Sequence, residues 1–167
     1  MLILMVAGLA MALCFSGMAL LGDLRQQLVP FLILYGFAYV AYAAAAWELL
    51  RRPDGRRSLI AIVVLAVLFR LILLLTSPPT LSTDVYRYIW DGRLGSAGVN
   101  PYAHAVDSPM LDRFHSPQRD LVNHSWMASP SLPAAQVYFT VVYCLAPDSP
   151  MAFQVAAIIL DLLTGAL

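Results

Sequence analysis

The chain has 167 residues, 60% hydrophobic and 12% charged, with a formal net charge of zero and a mean hydropathy of +0.74. A soluble domain is typically about 45–50% apolar and about 25% charged, so this composition excludes an ordinary soluble domain, and the apolar excess falls in runs suited to a bilayer, which takes about 20 residues to cross. All ten basic residues are arginine, and none forms the run or patch that marks a nucleic-acid footprint, so no nucleic-acid partner is expected.

The first apolar run, Leu2 to Gly22, has no Lys or Arg before it and is longer than the about 7–15 residues of a signal-peptide core. It reads as a retained transmembrane helix, with Gly8, Ala12 and Ser16 spaced to let another helix approach closely. Asp23 to Gln27 is a short polar turn. A second span runs from about Val29 to Leu50, with Pro30 in its first turn, where a missing N–H costs nothing. Tyr35, Tyr39 and Tyr42 recur at helical spacing and are expected to pack within a bundle. Arg51 to Arg57 then places four arginines in seven residues around Pro53-Asp54-Gly55, a turn signal. Short cytoplasmic loops carry the Lys/Arg excess, which puts this hairpin and the N-terminus in the cytoplasm and the Asp23–Gln27 turn outside. The third span, about Ser58 to Ser77, holds Arg70 near its outer end. An ionisable residue at that depth marks a functional position by default, with snorkelling to the interface as the alternative. Pro78-Pro79 ends the helix, because proline cannot continue its hydrogen-bond ladder.

Residues 78–133 form the one long non-apolar segment and are expected on the extracytoplasmic side. Their Trp, Tyr, Phe and Leu content is too high for disorder, so short juxtamembrane helices are expected, with Pro109, Pro117, Pro130 and Pro133 as breakers. A fourth span, Ala134 to Ala146, is short for a full crossing. Pro147 to Pro150 is a turn, and the last run, Met151 to Leu167, contains Asp161 and has no polar anchor after it. That ending predicts a truncated chain, the N-terminal portion of a larger membrane domain. Cys14 and Cys144 lie in apolar runs and are expected to be free, buried thiols. The predicted fold is therefore all-α, a multi-pass transmembrane bundle of about five spans. Three helices lie in 1–77 and two in 134–167, with the extracytoplasmic loop between them.

The chemistry is concentrated in Ser82-Thr83-Asp84-Val85-Tyr86-Arg87-Tyr88-Ile89-Trp90-Asp91-Gly92-Arg93, followed by Gly98-Val99-Asn100-Pro101-Tyr102. As a helix over 84–94 capped by Ser82, the spacing places Asp84, Arg87, Tyr88 and Asp91 on one face. Tyr86, Trp90 and Arg93 share another, with Val85 and Ile89 between. The aromatic side suits the bilayer interface, and the charged side would line a site above the membrane. Spacing alone is also consistent with helix-surface ion pairs worth about 0.2–0.5 kcal/mol each. Asn100-Pro101-Tyr102 reads as a structural turn. His104, His115 and His124 lack metal-ligand spacing, so neither a metal nor another cofactor is expected.

The pattern S-T-D-V-Y-R-Y-I-W-D-G-R-(x4)-G-V-N-P-Y resembles the first extracytoplasmic loop of bacterial GT-C-type integral membrane glycosyltransferases, in particular the polyprenyl-phosphate-mannose-dependent mannosyltransferases. The resemblance continues in Val122-Asn123-His124 and in Ser129 to Gln136, where Pro133 and Gln136 fit the family pattern. Ser131 and Leu132 stand where Tyr and Pro are typical. The resemblance implies that Asp84 deprotonates an acceptor hydroxyl as it attacks the anomeric carbon of a lipid-phosphate sugar, with inversion. It implies that Arg87, Arg93 and Arg70 stabilise the lipid phosphate, and that Asp91 orients an arginine or binds sugar hydroxyls. Tyr86 and Trp90 would stack on sugar or isoprenoid, or anchor at the interface, and His124 would contact substrate or phosphate. The implied partners are a lipid-linked sugar donor, a glycan or lipid acceptor and the bacterial plasma (inner) membrane, with the isolated fragment inactive. The competing expectation is a non-enzymatic multi-pass protein, a transporter half or assembly subunit with a structural outer loop. Transporters usually break their helices near the midplane, whereas the Gly and Pro interruptions here fall at span ends, which favours the enzyme.

Overall fold

A computed structural model describes residues 2–51, 55–76 and 80–166. It is all-helical, as the apolar runs predict, with no strand among the described residues. The helices are α1 (Leu2–Leu20), α2 (Leu28–Arg51), α3 (Gly55–Thr76), α4 (Asp84–Ser96), α5 (Pro133–Leu145) and α6 (Pro150–Ala166), with 3₁₀ turns at Pro109–Phe114 and Arg119–Leu121. Two of them, α1 and α2, are long and apolar enough to cross a membrane; the apolar stretch of α3, Leu59–Leu74, and the helices α5 and α6 are shorter. The expectation of five spans is thus met on length in two helices. The chain divides into two compact units, residues 1–81 and 82–167.

In the first unit α1 packs on both α2 and α3. Small residues let it do so. A Cβ added at Gly8 would lie 3.0 Å from Leu65 Cδ1 of α3, and one at Gly17 would lie 3.1 Å from Leu34 Cδ1 of α2. Phe15 adds a ring contact to Phe69 at 5.0 Å. The three tyrosines of α2 do not pack into the bundle as expected. Tyr35, Tyr39 and Tyr42 are 55%, 63% and 58% exposed, because α2 turns Leu34 and the buried Ala38 inward and its rings outward. Phe31 stacks on Tyr35, and Tyr39 meets Tyr42, along the outer face. The guanidinium of Arg51 lies 4.5 Å over Trp47 at the end of α2. The Pro53-Asp54 turn and Pro78-Pro79 fall outside the described residues.

In the second unit the polar loop and the last two helices fold as one body around α4. Ile89 and Val85 join Phe139, Val142 and Phe153 in one apolar cluster. Trp90 and Leu94 join Val106, Leu111 and Val122 in another. The aromatic side of α4 therefore does not lie open to a bilayer interface. Segment 97–132 wraps over it and leaves Trp90 2% exposed.

The α4–α5 crossing is close because α4 presents Gly92 and Gly95 to α5. A Cβ at Gly92 would sit 2.5 Å from the Phe139 carbonyl oxygen, and one at Gly95 would collide with Thr140 Oγ1. At the start of α4, Thr83 holds the cap position without a side-chain bond, and the Ser82 hydroxyl accepts from the Asp84 N–H at 3.1 Å. Pro109 and Pro133 open the first turns of their helices, where an N–H is not needed. Both cysteines are free, as expected, but neither is buried; Cys144 is exposed on α5.

Candidate active site

The N-terminus of α4 carries an exposed carboxylate, Asp84. Its Oδ1 accepts a hydrogen bond of 2.7 Å from Asn123 Nδ2, 39 residues away in sequence. Asn123 reaches it because Arg87, one turn along α4, grips the main chain of the same turn. Arg87 Nη2 donates to the carbonyls of Asn123 (3.0 Å) and His124 (2.8 Å), and Nη1 donates to that of Met127 (3.1 Å). A planar guanidinium with five donors suits several acceptors at once. The side chain is 5% exposed, so in place of a surface ion-pair ladder α4 holds a buried arginine that serves backbone. His124 takes φ +50°, and the Met127 N–H donates to its carbonyl at 3.2 Å, closing the turn. Trp126, 70% exposed, points its ring edge-on to the His124 imidazole at 6.3 Å.

Electrostatics favour the charged form of Asp84. The hydrogen bonds from Asn123 and Ser82 hold its carboxyl below the usual range; partial burial opposes them, and His124 and Arg87 add smaller attractive contributions. The carboxylate is ionised and oriented at neutral pH. Asp91, two turns on, is its opposite: it is 1% exposed, and burial pushes its pKa up against hydrogen bonds from Ser129 and Gln136. Its Oδ2 accepts from the Ser129 hydroxyl at 2.5 Å and from Gln136 Nε2 at 2.8 Å. These bonds tie α4 to the segment before α5 and to α5 itself.

Residues 1–166 match the family model described as "Alpha-(1->6)-mannopyranosyltransferase, N-terminal domain". The chain belongs to this mannosyltransferase family. No curated protein and no solved structure matches it.

Within this mannosyltransferase domain the residues singled out from sequence have separate fates. Asp84 and His124 come together at one exposed corner. Arg87 and Asp91 are turned inward, because their hydrogen-bonding capacity serves the 123–127 turn and the Ser129–Gln136 pair. Arg93 is likewise engaged: its Nη2 donates to both carboxylate oxygens of Asp148 at 2.6 Å, and it lies 5.7 Å over the Tyr143 ring. Asp148 sits in the left-handed region at φ +59°, so the turn between α5 and α6 is shaped to meet that arginine. Trp90 is core, enclosed by Val106, Leu111 and Val122, and offers no stacking face. Tyr86 is half-buried between the two apolar clusters. Arg70 belongs to the first unit and donates to the Ala66 carbonyl one turn back in α3, at 2.8 Å.

The Asn100-Pro101-Tyr102 turn is structural, as expected. The Asn100 side chain accepts from the Tyr102 N–H, and the Tyr102 hydroxyl donates to the Ser131 carbonyl at 2.7 Å. Asn123 as the partner of Asp84, Trp126 as an open ring and Asp148 as the partner of Arg93 had no assigned role in the sequence. The Asn123-His124 pair was the visible signal for the first. Among the described residues, no three His, Cys, Asp or Glu side chains gather where a metal ion could be held.

Proposed function

We propose that the chain is the N-terminal part of a GT-C-type integral membrane enzyme that transfers mannose from a polyprenyl-phosphate donor to an extracytoplasmic acceptor, with Asp84 as the general base. The observation that carries this reading is an exposed carboxylate, oriented by Asn123, in a chain of a mannosyltransferase family. The acceptor oxygen attacks the anomeric carbon while Asp84 takes its proton. The bond from that carbon to the phosphate oxygen breaks, and its electron pair leaves with the lipid phosphate. The family's name favours an α-1,6 linkage in the product. A base must be unprotonated and within reach of its proton; the low pKa of Asp84 supplies the first condition over the whole neutral range.

The membrane assignment extends α1 and α2 to a bundle of about five spans in the bacterial inner membrane. The outward apolar side chains of α5 and α6 support it, among them Val137, Val141, Ile159 and Leu163. The arginines at 51–57 favour a cytoplasmic location for that segment, and the reading takes Asp84 to face the outer side. Because Arg87 and Arg93 are engaged within the domain, charge on the leaving phosphate falls to groups of the remaining enzyme, and the domain alone is expected to be inactive. The test is Asp84→Asn in the full-length enzyme. Transfer from polyprenyl-phosphate mannose should be lost while membrane insertion is unchanged; transfer at the wild-type rate would overturn the reading.

A further inference from the structure

We infer that Trp126, with His124, forms a stacking subsite for a sugar ring of the acceptor, so that the acceptor is a glycan that lies flat on this indole with its reactive hydroxyl toward Asp84. The inference rests on the reading of Asp84 as the base.

Three observations carry it. The first is exposure: Trp126 is 70% open, whereas Trp90, the ring expected to stack on substrate, is 2% open and fully packed. The second is rigidity. The turn bearing Trp126 is held by three hydrogen bonds from the buried Arg87 and is closed by the Met127 N–H on the His124 carbonyl. The indole is therefore presented from fixed backbone. The third is the polar border. The His124 and Trp126 rings lie nearly perpendicular with centroids 6.3 Å apart, and the residue before His124, Asn123, bonds the Asp84 carboxylate at 2.7 Å. An exposed indole beside an imidazole, on the turn whose Asn123 bonds the Asp84 carboxylate, matches a hexose, which has a C–H face and a rim of hydroxyls. A hydrocarbon chain on the same ring would strip water from Asp84 and His124 and return no hydrogen bond, which is costly. Lipid contact is thus disfavoured at this position, although an exposed indole in a membrane protein otherwise suits the interface.

The experiment uses the full-length enzyme in vesicles. Tryptophan fluorescence is followed during titration with α-1,6-mannobiose and, separately, with brominated phospholipid as a quencher. A sugar-dependent fluorescence change that is lost in Trp126→Phe is expected, and Trp126 should be spared by the brominated lipid. Kinetically, Trp126→Ala should raise the acceptor KM by about 2- to 12-fold, the size of an aromatic contact, with kcat and donor KM little changed. Trp126→Tyr should restore most of it. Quenching of Trp126 by brominated lipid without a response to sugar would overturn the inference, as would an unchanged acceptor KM in Trp126→Ala. Asp84→Asn separates the two readings. It should bind mannobiose with the same fluorescence change and yet transfer nothing. If it transfers normally, the base assignment fails, whatever Trp126 does.

Discussion

Lysine in place of Arg87 keeps a cation at the heart of the second unit but removes the fork that reaches the 123–127 turn. Arg87 makes three hydrogen bonds of 2.8–3.1 Å to the carbonyls of Asn123, His124 and Met127. A hydrogen bond to a charged group contributes about 1.5–3 kcal/mol. A lysine ammonium is a compact point charge on a flexible stem and cannot span three acceptors in the plane of a guanidinium. If it keeps one bond and loses two, the local loss is about 3–6 kcal/mol, and we take about 3 because water can reach the released carbonyls. That is a large part of the about 5–15 kcal/mol that holds a typical domain, so the expected result is local opening of the turn rather than global unfolding.

Hydrogen exchange read by mass spectrometry on the full-length protein checks this. The Met127 amide, protected by the His124 carbonyl, should exchange about 100-fold faster in Arg87→Lys, since each 1.4 kcal/mol is about tenfold. Amides in the middle of α5 should be unchanged. Transfer activity should fall with it, because Asn123 would no longer be held against Asp84. Unaltered exchange at Met127, or an equal acceleration throughout α4 and α5, would refute the claim that Arg87 acts by clamping the turn.

Two further outcomes are expected. Gly92→Ala places a methyl 2.5 Å from the Phe139 carbonyl oxygen and 2.8 Å from Tyr143 Cβ. Overpacking costs about 1–3 kcal/mol against about 1 kcal/mol of helix propensity gained, so a lower thermal midpoint is expected, and a raised one would show that α4 and α5 do not cross this closely. For Asp91, burial raises the folded pKa above the ordinary 3.8, so the folded state binds this proton more readily than the unfolded chain. The stabilisation is full below the unfolded pKa and is lost as pH rises through the folded one. Asp91→Asn, whose amide oxygen can still accept from Ser129, should abolish that component of the pH dependence in thermal melts. An unchanged slope between acidic and neutral pH would contradict it.

What the sequence disclosed and what it hid divide along physical lines. The helices were legible because apolar runs and proline breakers are local signals; α4 begins at Asp84 and α5 at Pro133, close to the boundaries predicted. The direction in which α4 faces was not legible. Its periodicity separates a charged side from an aromatic side, and the natural inference is that one meets water and the other lipid. Instead both sides are covered, the charged one by the 123–129 turn and α5 and the aromatic one by Val106, Leu111 and Val122, and cover supplied from 40 residues away leaves no trace in local spacing. For the same reason Arg87, Asp91 and Arg93 looked like substrate ligands. A charged side chain announces chemistry from sequence, but whether it serves a ligand or a distant carbonyl depends on tertiary contacts. Asp84 differs in that it stands on the first residue of the helix, where the covering segment supplies one amide, from Asn123, and leaves the carboxylate exposed.

The clamp at Arg87 addresses only main-chain oxygens of the turn. Its three bonds use no side chain from His124 to Met127, so Ser125 and Trp126 can be exchanged with the clamp intact, whereas His124, at φ +50°, favours residues that tolerate the left-handed region. On the proposed roles, the part of the site that orients Asp84 is separate from the part that would meet the acceptor. If those roles hold, libraries at Ser125 and Trp126 would change which glycan is taken up without disturbing the group proposed to remove the proton.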